Sequence, residues 1–331
     1  MPRFRILLTD MIDDDLAPER GVFSDRADVV ALKADTEADV MARLGDADAD
    51  GLLEYMAPIT PAVIAALPKC RVFVRCGVGY DNIDGAFARS RGIPLANVPD
   101  YGTEEIAETA IGMMLGLTRG LHLTNSRLQR RVGAWTYRQA VPAHRLRGRI
   151  FGLLGLGRIG MATALRAKAF GMDVVFYDPF VADGLSKALG IRRVETLPEL
   201  LRQSHALSVH TPLTPETRHI VDAAAISQMP RGSYLINTAR GACVDTAAIA
   251  PAIASGQLAG AGIDVLPQEP PADDDPLLVA WRDPTHPAFD RVILNPHGAF
   301  YSEEGLLDMR VKGAQTCLRA LLGEPHRNVV N

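Results

Sequence analysis

The chain has 331 residues, of which 47% are hydrophobic and 22% charged, and its formal net charge is −4. This length predicts about two domains, and the composition is typical of a globular protein with sizeable cores. No basic block favours nucleic acid, and no apolar run reaches the ~20 residues that span a bilayer, so the sequence gives no reason to expect nucleic-acid or membrane partners.

The first third of the chain alternates short apolar runs with helical stretches, which predicts a parallel α/β architecture. The apolar run in "MPRFRILLTD" is too short for a signal sequence and is expected to form the first strand. The predicted strands are Arg5–Thr9, Asp28–Lys33, Asp50–Tyr55, Arg71–Arg75 and Ile93–Asn97. Helices are expected at Thr60–Leu67 and Ile83–Arg91. The segment Glu104–Gly120 is rich in small and apolar residues, which predicts a helix packed on several sides.

A second series of apolar runs begins near Arg149. Its predicted strands are Ile150–Leu154, Asp173–Tyr177, Ala206–His210, Ser233–Asn237, Ala259–Asp264 and Arg291–Leu294. Six strands with intervening helices are enough for a dinucleotide-binding sheet. The proline- and aspartate-rich segment Pro267–Pro287 is expected to be a long surface loop, and Glu303–Leu322 to be one more helix.

The strongest local motif is "FGLLGLGRIG", in which Gly155, Gly157 and Gly160 lie between a strand and a helical stretch. Glycines at this spacing allow a tight turn and bring a pyrophosphate close to the N–H groups of a helix N-terminus. The structural alternative is a glycine-rich turn without a ligand. Asp178 ends the next strand 18 residues after Gly160, near the spacing of an acid that binds the adenosine ribose. Because this carboxylate repels a 2′-phosphate, NAD is favoured over NADP.

Polar residues that follow three other strands are further candidates. Arg240, in "NTARG", carries a planar fork of donors suited to a carboxylate, although a solvated loop arginine explains it equally well by itself. Asp264 and Glu269 follow another strand, where acids are more often caps or surface groups. In "VRCGVGYDNID", Arg75 and the amides around the two glycines could hold an anion, or the glycines could simply form a turn.

One histidine and the four cysteines are the remaining residues whose side chains could carry chemistry. His297, in "NPHGAFYSEE", follows an apolar strand, a position at which histidines are usually structural. The four cysteines match neither a metal-ligand spacing nor a disulfide framework, which predicts reduced thiols in a cytoplasmic protein and no metal site. They are Cys70, Cys76, Cys243 and Cys317.

Taken in order, these motifs resemble the D-2-hydroxyacid dehydrogenase family over nearly the full chain. The resemblance is carried by "CGVGYDNID", "GLGRIG", "DPF", "NTARG", the acid in "DVLPQEP" and "NPHGAFYSE". Within the family the chain is most similar to the C-terminal binding protein branch, through "VRCGVGYDNID", "ALRAKAFGMDVVFYDPF" and "FYSEEGLLDMR". The resemblance implies two doubly wound parallel-sheet domains: a Rossmann NAD-binding domain at 101–297, inserted into a discontinuous flavodoxin-like substrate domain at 1–100 and 298–331.

The resemblance also implies the roles of individual residues. Arg240, Glu269 and His297 match the family's catalytic set. The implied cofactor site lies in the glycine loop and at later strand ends: Thr103, Gly155, Leu156, Gly157, Arg158, Ile159, Gly160, Asp178, His210, Thr211, Pro212, Thr217, Thr238, Ala239, Arg240, Asp264, His297 and Gly298. The implied substrate site comprises Tyr55, Arg75, Gly77, Val78, Gly79, Arg240, His297 and Phe300. The side chain of His210, like those of His122 and His286, has no acid–base constellation and is interpreted as structural or solvated.

The implied reaction is reduction of a 2-keto acid by NADH, or oxidation of a 2-hydroxy acid by NAD. His297, paired with Glu269, would protonate the developing alkoxide while Arg240 binds the carboxylate and carbonyl oxygens. Two residues depart from the branch: Phe300 replaces the tryptophan of animal members, and Val78 replaces a serine. Tyr55, Met56 and Phe300 are expected at the side-chain end of the substrate pocket, which favours a fairly apolar or aromatic substrate over a large polyanion.

Two alternative functions stay open from the sequence. One is an NADH-sensing scaffold with weak turnover, as in animal C-terminal binding proteins. The other is hydride transfer from formate or phosphite. Glu269 disfavours formate, because formate dehydrogenases of this superfamily have a glutamine there, whereas Arg75 and Arg240 would also suit phosphite. The resemblance further implies a homodimer, to which the Glu104–Arg131 region contributes.

Overall fold

The computed structural model describes residues 3–45, 48–325 and 327–331. The described residues form two compact units. Unit 1 consists of the described residues of Met1–Gly102 and Tyr301–Asn331, and unit 2 of Thr103–Phe300. Unit 2 is therefore an insertion in the sequence of unit 1.

Unit 1 is a five-stranded parallel sheet with helices. Its strands are β1 (Phe4–Leu8), β2 (Ala27–Ala31), β3 (Gly51–Glu54), β4 (Val72–Arg75) and β5 (Leu95–Asn97). The order β2-β1-β3-β4-β5 is that of flavodoxin-like folds, with a switch point between β1 and β3. Its helices are α1 (Ala17–Phe23), α2 (Glu37–Leu44), α3 (Pro61–Ala65), α4 (Gly85–Ser90) and, much later in the chain, α13 (Glu303–Leu321), with a 3-10 turn at Ser24–Arg26.

The central strands of unit 1 are buried on both faces. All four residues of β3 and all four of β4 are buried, as parallel strands covered by helices require. The last helix, α13, packs on α1, β3 and β4. Arg310 of α13 pairs with Glu19 of α1 and with Asp14, at N–O distances of 2.7 and 2.6 Å.

Unit 2 is a seven-stranded parallel sheet. Its strands are β6 (Ile150–Leu154), β7 (Asp173–Tyr177), β8 (Arg192–Arg193), β9 (Ala206–Val209), β10 (Ser233–Asn237), β11 (Leu258–Ile263) and β12 (Val292–Leu294). The order β12-β11-β10-β9-β6-β7-β8 is the Rossmann order with a seventh strand added, and the order reverses between β6 and β9. The predicted fold class, two parallel α/β sheets, is confirmed.

The helices of unit 2 cover its sheet. They are α5 (Thr103–Thr118), α6 (Leu121–Gln129), α7 (Arg158–Ala169), α8 (Leu185–Leu189), α9 (Leu197–Gln203), α10 (Ala223–Gln228), α11 (Ile249–Ala254) and α12 (Pro276–Arg282). Short 3-10 turns lie at Tyr137–Ala140, Gly241–Cys243, Thr246–Ala248 and Pro287–Asp290. Glycines in β11 let α5 approach the sheet: a Cβ on Gly262 would lie 2.8 Å from the Met113 side chain, and one on Gly260 2.9 Å from Leu117.

Two secondary-structure predictions for unit 2 are wrong. The expected surface loop Pro267–Pro287 contains α12, whose Leu277 and Leu278 are buried. Asp275 caps this helix, accepting hydrogen bonds from both leucine N–H groups at 2.9 and 3.1 Å, and Pro276 occupies the first turn. Proline and aspartate are thus start signals of a helix here. The two-residue strand β8 was not predicted, because two arginines form no apolar run.

Two expectations from composition are also addressed by the structure. The four cysteines, expected to be reduced thiols, are free, and all four are buried. Within the part of the chain that the structure describes, no helix has both the length and the apolar character to cross a membrane.

Candidate active site

The glycine loop follows β6 and leads into α7. Gly155 has a φ of 94°, and a Cβ there would lie 2.8 Å from the carbonyl oxygen of His210. A Cβ on Gly160 would lie 2.5 Å from the carbonyl oxygen of Gly155, whereas Gly157, the residue that caps α7, faces open space. Glycine is therefore needed at 155 and 160 to form the turn. The open space at Gly157 leaves room for a phosphate at the N-terminus of the twelve-residue α7.

Asp178 follows β7 and fixes the geometry beside this loop. Its Oδ2 accepts a hydrogen bond from the Leu156 N–H at 2.8 Å, and its Oδ1 accepts one from the Phe180 N–H at 2.9 Å. A carboxylate oxygen has two lone pairs, so each oxygen can accept a further bond from a ribose hydroxyl. The predicted ribose acid is therefore placed directly beside the glycine loop.

The ends of β9 and β10 bring further predicted cofactor residues to the same edge of the sheet. His210 N–H donates to the Leu154 carbonyl at 2.7 Å, and its Nε2 lies 2.9 Å from Ser208 Oγ. Burial lowers the pKa of His210 to about 4, so this imidazole is neutral at physiological pH. Thr217 Oγ1 donates to the Pro212 carbonyl at 2.6 Å, which shapes the loop after β9. Thr238 Oγ1 is buried and has no hydrogen-bond partner among the described residues.

These residues fit a dinucleotide. A glycine loop with open space at Gly157, two carboxylate acceptors on Asp178 and the unpartnered hydroxyl of Thr238 lie at the carboxyl ends of neighbouring strands. In this architecture ligands bind at that edge, where the strand order reverses.

The side chains of His297 and Glu269, the predicted acid–base pair, are in direct contact. Their side chains meet at 2.6 Å, between His297 Nδ1 and Glu269 Oε2, and both are about three-quarters covered. Glu269 Oε1 also accepts the Leu266 N–H at 2.7 Å, which fixes the carboxylate. With Nδ1 engaged, Nε2 is the nitrogen that can exchange a proton with a ligand.

Asp264 holds the loop that carries His297. Its Oδ1 accepts hydrogen bonds from Asn295 Nδ2 at 2.6 Å, from Gly298 N–H at 2.9 Å and from Ala299 N–H at 3.0 Å. The His297 N–H donates to the Asp264 carbonyl at 2.8 Å. His297 itself has a φ of 52°, an uncommon conformation for a residue other than glycine, which these bonds maintain.

The Arg240 loop packs against the loop that leads to Glu269. A Cβ on Gly241 would overlap the Leu266 carbonyl group, so only glycine permits this approach. Asn237 Nδ2 donates to the Arg240 carbonyl at 2.9 Å, and Arg240 Nη1 donates to the Ala239 carbonyl at 3.1 Å. The close approach places the Arg240 charge near the Glu269 carboxylate.

The charges around Glu269 favour its ionised form. Burial acts to raise its pKa, but the hydrogen bond and charge of His297, the Leu266 N–H and the charge of Arg240 outweigh burial, so the pKa lies below its ordinary value. Asp264 shows the opposite balance: burial raises its pKa despite the charge of His297 and its hydrogen bonds. Glu269 is therefore the anionic partner of His297, within reach of a cationic guanidinium.

In unit 1, the predicted anion-binding residues are the last residue of β4 and the loop after it. Arg75 is buried, and its Nη1 donates to the Cys76 carbonyl at 2.6 Å. A Cβ on Gly77 would overlap the Arg75 guanidinium, which therefore lies directly on that glycine. Asn97 Nδ2 donates to the Val78 carbonyl at 2.7 Å and holds the glycine loop to the end of β5.

Tyr55 does not lie where the sequence predicted. Its side chain is 1% exposed, and its hydroxyl donates to Glu19 Oε1 at 3.3 Å in the core of unit 1. An enclosed ring cannot line the side-chain end of a pocket, so this assignment is corrected. Glu54, the residue before Tyr55, was also missed. A glutamate in an otherwise apolar strand was the signal in the sequence that could have identified it.

The Rossmann sheet carries a glycine loop, an acid positioned to bind a ribose, and a contacting His–Glu pair. Together these features define a protein that binds a nicotinamide dinucleotide. Residues 111–299 match the profile of the NAD-binding domain of the D-isomer specific 2-hydroxyacid dehydrogenases. The chain belongs to this family, and NAD is its cofactor.

Relatives of this chain share sequence over most of its length. It is 33% identical over 327 residues to a D-3-phosphoglycerate dehydrogenase of Methanocaldococcus jannaschii. This alignment covers 99% of this chain but only 59% of the length of that protein. It is 36% identical over 288 residues to a glyoxylate reductase of Korarchaeum cryptofilum, covering 86% of this chain and 83% of that one. A crystal structure of D-lactate dehydrogenase from Aquifex aeolicus with NAD and lactic acid superposes with a TM-score of 0.85, at 28% identity and 96% coverage of each chain.

Proposed function

We propose that the protein is an NAD-dependent D-2-hydroxyacid dehydrogenase that interconverts a small 2-keto acid and its 2-hydroxy acid. The observation that carries the proposal is the 2.6 Å contact between His297 and Glu269 beside the Arg240 loop, within a domain of the NAD-binding family. Relatives named for glyoxylate and lactate support a small 2-oxo or 2-hydroxy acid as the substrate class.

In this proposal His297 is the general acid and base. Bound NADH supplies the hydride to the C2 carbon of the keto acid. His297 donates a proton from Nε2 to the developing alkoxide, while Glu269, held by the Leu266 N–H, fixes the ring through Nδ1. In the oxidative direction the same nitrogen removes the hydroxyl proton.

Arg240 stabilises the negative charge that develops on the carbonyl oxygen and binds the substrate carboxylate. Its backbone is fixed by Asn237, and Gly241 allows its loop to pack close to Leu266. Arg240 therefore acts from a loop that is held to the end of β10. We also propose that Arg75 and the backbone around Val78 and Gly79 bind a substrate carboxylate.

Phe300 is proposed to set the size of the side-chain pocket. Its ring lies edge-on to the His297 ring, with centroids 6.4 Å apart. An aromatic ring this close to the acid favours a substrate with a small or apolar side chain. The proposed resemblance to the C-terminal binding protein branch rests on the sequence motifs, and the cytoplasmic location stays a prediction from cysteine usage.

The test is a screen of 2-keto acids with NADH, run beside formate and phosphite with NAD⁺. Turnover of at least one small 2-keto acid, with no NADH formed from formate, is expected. NADH formation from phosphite without reduction of any keto acid would overturn the proposal in favour of the phosphite alternative. Binding of NADH without any turnover would favour the scaffold alternative.

We also propose a homodimer. Large apolar side chains are exposed on α6 and the segment after it: Leu121 is 60% exposed, Trp135 88% and Tyr137 78%. This adjoins the Glu104–Arg131 region that the resemblance implicates. Light scattering at micromolar concentration should give twice the chain mass, and a monomer mass would contradict the proposal.

A further inference from the structure

Glu54 is a buried acid at the carboxyl end of its strand in unit 1, next to Arg75. It ends β3, Arg75 ends β4, and the two residues are direct partners in the parallel register. The rest of β3 is Gly51, Leu52 and Leu53, so a carboxylate here is exceptional, and its side chain is completely covered. A buried carboxylate is costly unless it is paired or hydrogen-bonded, so its surroundings need an explanation.

The pairing of Glu54 with Arg75 is only half formed. Glu54 Oε1 accepts a hydrogen bond from Asn82 Nδ2 at 2.7 Å. Glu54 Oε2 lies 3.5 Å from Arg75 Nε, and neither atom has a hydrogen-bond partner among the described residues. The guanidinium donates instead to the Cys76 carbonyl, at 2.6 Å from Nη1, and its Nη2 lies 3.9 Å from Met56 Sδ. Arg75 thus stands next to the carboxyl group of Glu54 without a hydrogen bond to it.

Further groups bear on the charge of this cluster. Asp10 follows β1, and its carboxylate accepts the N–H groups of Tyr55, Met56 and Ala57 at 3.2, 2.7 and 3.1 Å, as well as the Thr9 hydroxyl. The charges of Asp10 and Asp81 both oppose ionisation of Glu54. The charge of Glu54 in turn acts to raise the pKa of the nearby Cys76 thiol. Two buried acids therefore share the single charge of Arg75.

This balance favours the neutral form of Glu54 below about pH 8. Burial raises the pKa of Glu54 to about 8; the Arg75 charge and the Asn82 hydrogen bond oppose that rise, while Asp10 and Asp81 add to it. Below this pH the guanidinium charge is shared with Asp10 alone. Above it, ionised Glu54 also competes for Arg75.

We propose that Glu54 is a positioning residue for Arg75 whose charge sets the affinity of Arg75 for the carboxylate of a 2-keto acid. The inference rests on the proposed function, in which Arg75 contacts that carboxylate. Linkage is reciprocal: a bound carboxylate disfavours ionisation of Glu54, so ionisation of Glu54 weakens carboxylate binding by the same factor. Affinity is therefore expected to fall as pH rises through about 8.

The experiment compares wild type with Glu54→Gln, which keeps an oxygen acceptor for Asn82 and removes the titratable charge. The probe is oxamate, a 2-keto acid analogue that NADH does not reduce, and its inhibition constant is measured at pH 6.5 and pH 9.5. Because the two proteins differ only at position 54, the effects of pH on all their other groups cancel in the ratio. Glu195→Gln, an exposed acid of unit 2, is the matched control.

At pH 6.5 the two inhibition constants should agree within about twofold. At pH 9.5 wild type should bind oxamate about 10-fold more weakly than Glu54→Gln, which is the change expected if bound oxamate raises the pKa of Glu54 by about one. The NADH dissociation constant should not show this difference, and Glu195→Gln should follow wild type. If Glu54→Gln does not fold, Glu54→Met removes the same charge and carries the same expectation.

The outcomes separate this inference from the proposed function. Oxamate inhibition with the same wild-type-to-variant ratio at both pH values would overturn the role of Glu54 alone. If Arg75→Ala leaves oxamate inhibition unchanged, the assignment of Arg75 fails and the inference fails with it. If wild type is not inhibited at either pH, both the proposed function and the inference are overturned.

Discussion

We predict that Asp178 sets the preference for NADH over NADPH, and its contacts give the size of the expected effect. Each oxygen of this half-buried carboxylate already accepts one backbone N–H, from Leu156 and from Phe180. The remaining lone pairs suit ribose hydroxyls, which donate. A 2′-phosphate on the ribose has no proton to donate and brings negative charge to the same place.

Two like charges at ~4 Å repel by about 4 kcal/mol at an effective dielectric of about 20. Asp178 is partly exposed, so water and small movements reduce this to about 1–3 kcal/mol. Because 1.4 kcal/mol corresponds to a factor of ten, the expected preference for NADH over NADPH in kcat/KM is roughly 5- to 150-fold.

The assay is steady-state reduction of the best keto acid with each dinucleotide. In Asp178→Asn the charge is lost and one acceptor is kept, so the preference should narrow by about tenfold, mainly through a lower KM for NADPH. Asp173→Asn removes an exposed acid at the start of the same strand and should leave the preference unchanged. Equal kcat/KM for NADH and NADPH in wild type would refute the reasoning.

Three further substitutions test the site. His297→Asn keeps a residue type that tolerates a positive φ, so fold and NADH affinity should persist while turnover falls roughly 10²- to 10⁴-fold; a wild-type rate would make the histidine structural. Glu269→Gln should also slow turnover, and since the pair acts as a unit, the double variant should be little slower than His297→Asn; multiplying losses would show independent roles. Gly160→Ala should weaken NADH binding about tenfold or more in a fluorescence titration, since its Cβ would press on the Gly155 carbonyl, whereas Gly112→Ala, in open space, is the control.

Much of the fold could be predicted because apolar runs in a parallel sheet are long enough to stand out. The predicted limits of β6, β7 and β10 are the observed ones, since their residues are largely buried on both faces. The errors came from segments that such runs do not mark. Pro267–Pro287 was assigned by composition alone, although its cap at Asp275 and the paired leucines after it indicate a helix.

The candidate site could be predicted in part because strand ends converge at one edge of a parallel sheet. That rule places Asp178 and the glycine loop together from the sequence alone. It does not give register or the side toward which a residue turns. Tyr55 was therefore assigned to a pocket although it turns into the core, and the pairing of Glu54 with Arg75 went unseen.

The same cluster makes a prediction about stability that does not depend on any substrate. The pKa of Glu54 is raised from an ordinary 4.5 to about 8 in the folded protein, so the folded state binds this proton more tightly than the unfolded state does. The resulting stabilisation is fully present below pH ~4.5 and is lost as pH rises through about 8. At 1.36 kcal/mol per unit, the loss is at most about 5 kcal/mol, and relaxation around the charge should reduce it to about 2–4 kcal/mol. Glu54→Gln has no proton to lose at this position. In urea unfolding, its free energy of unfolding should therefore rise relative to that of wild type by about this amount between pH 5 and pH 9. A difference in the free energy of unfolding that stays constant over this range would show that Glu54 is already ionised in the folded protein at pH 5, paired with Arg75 despite its burial.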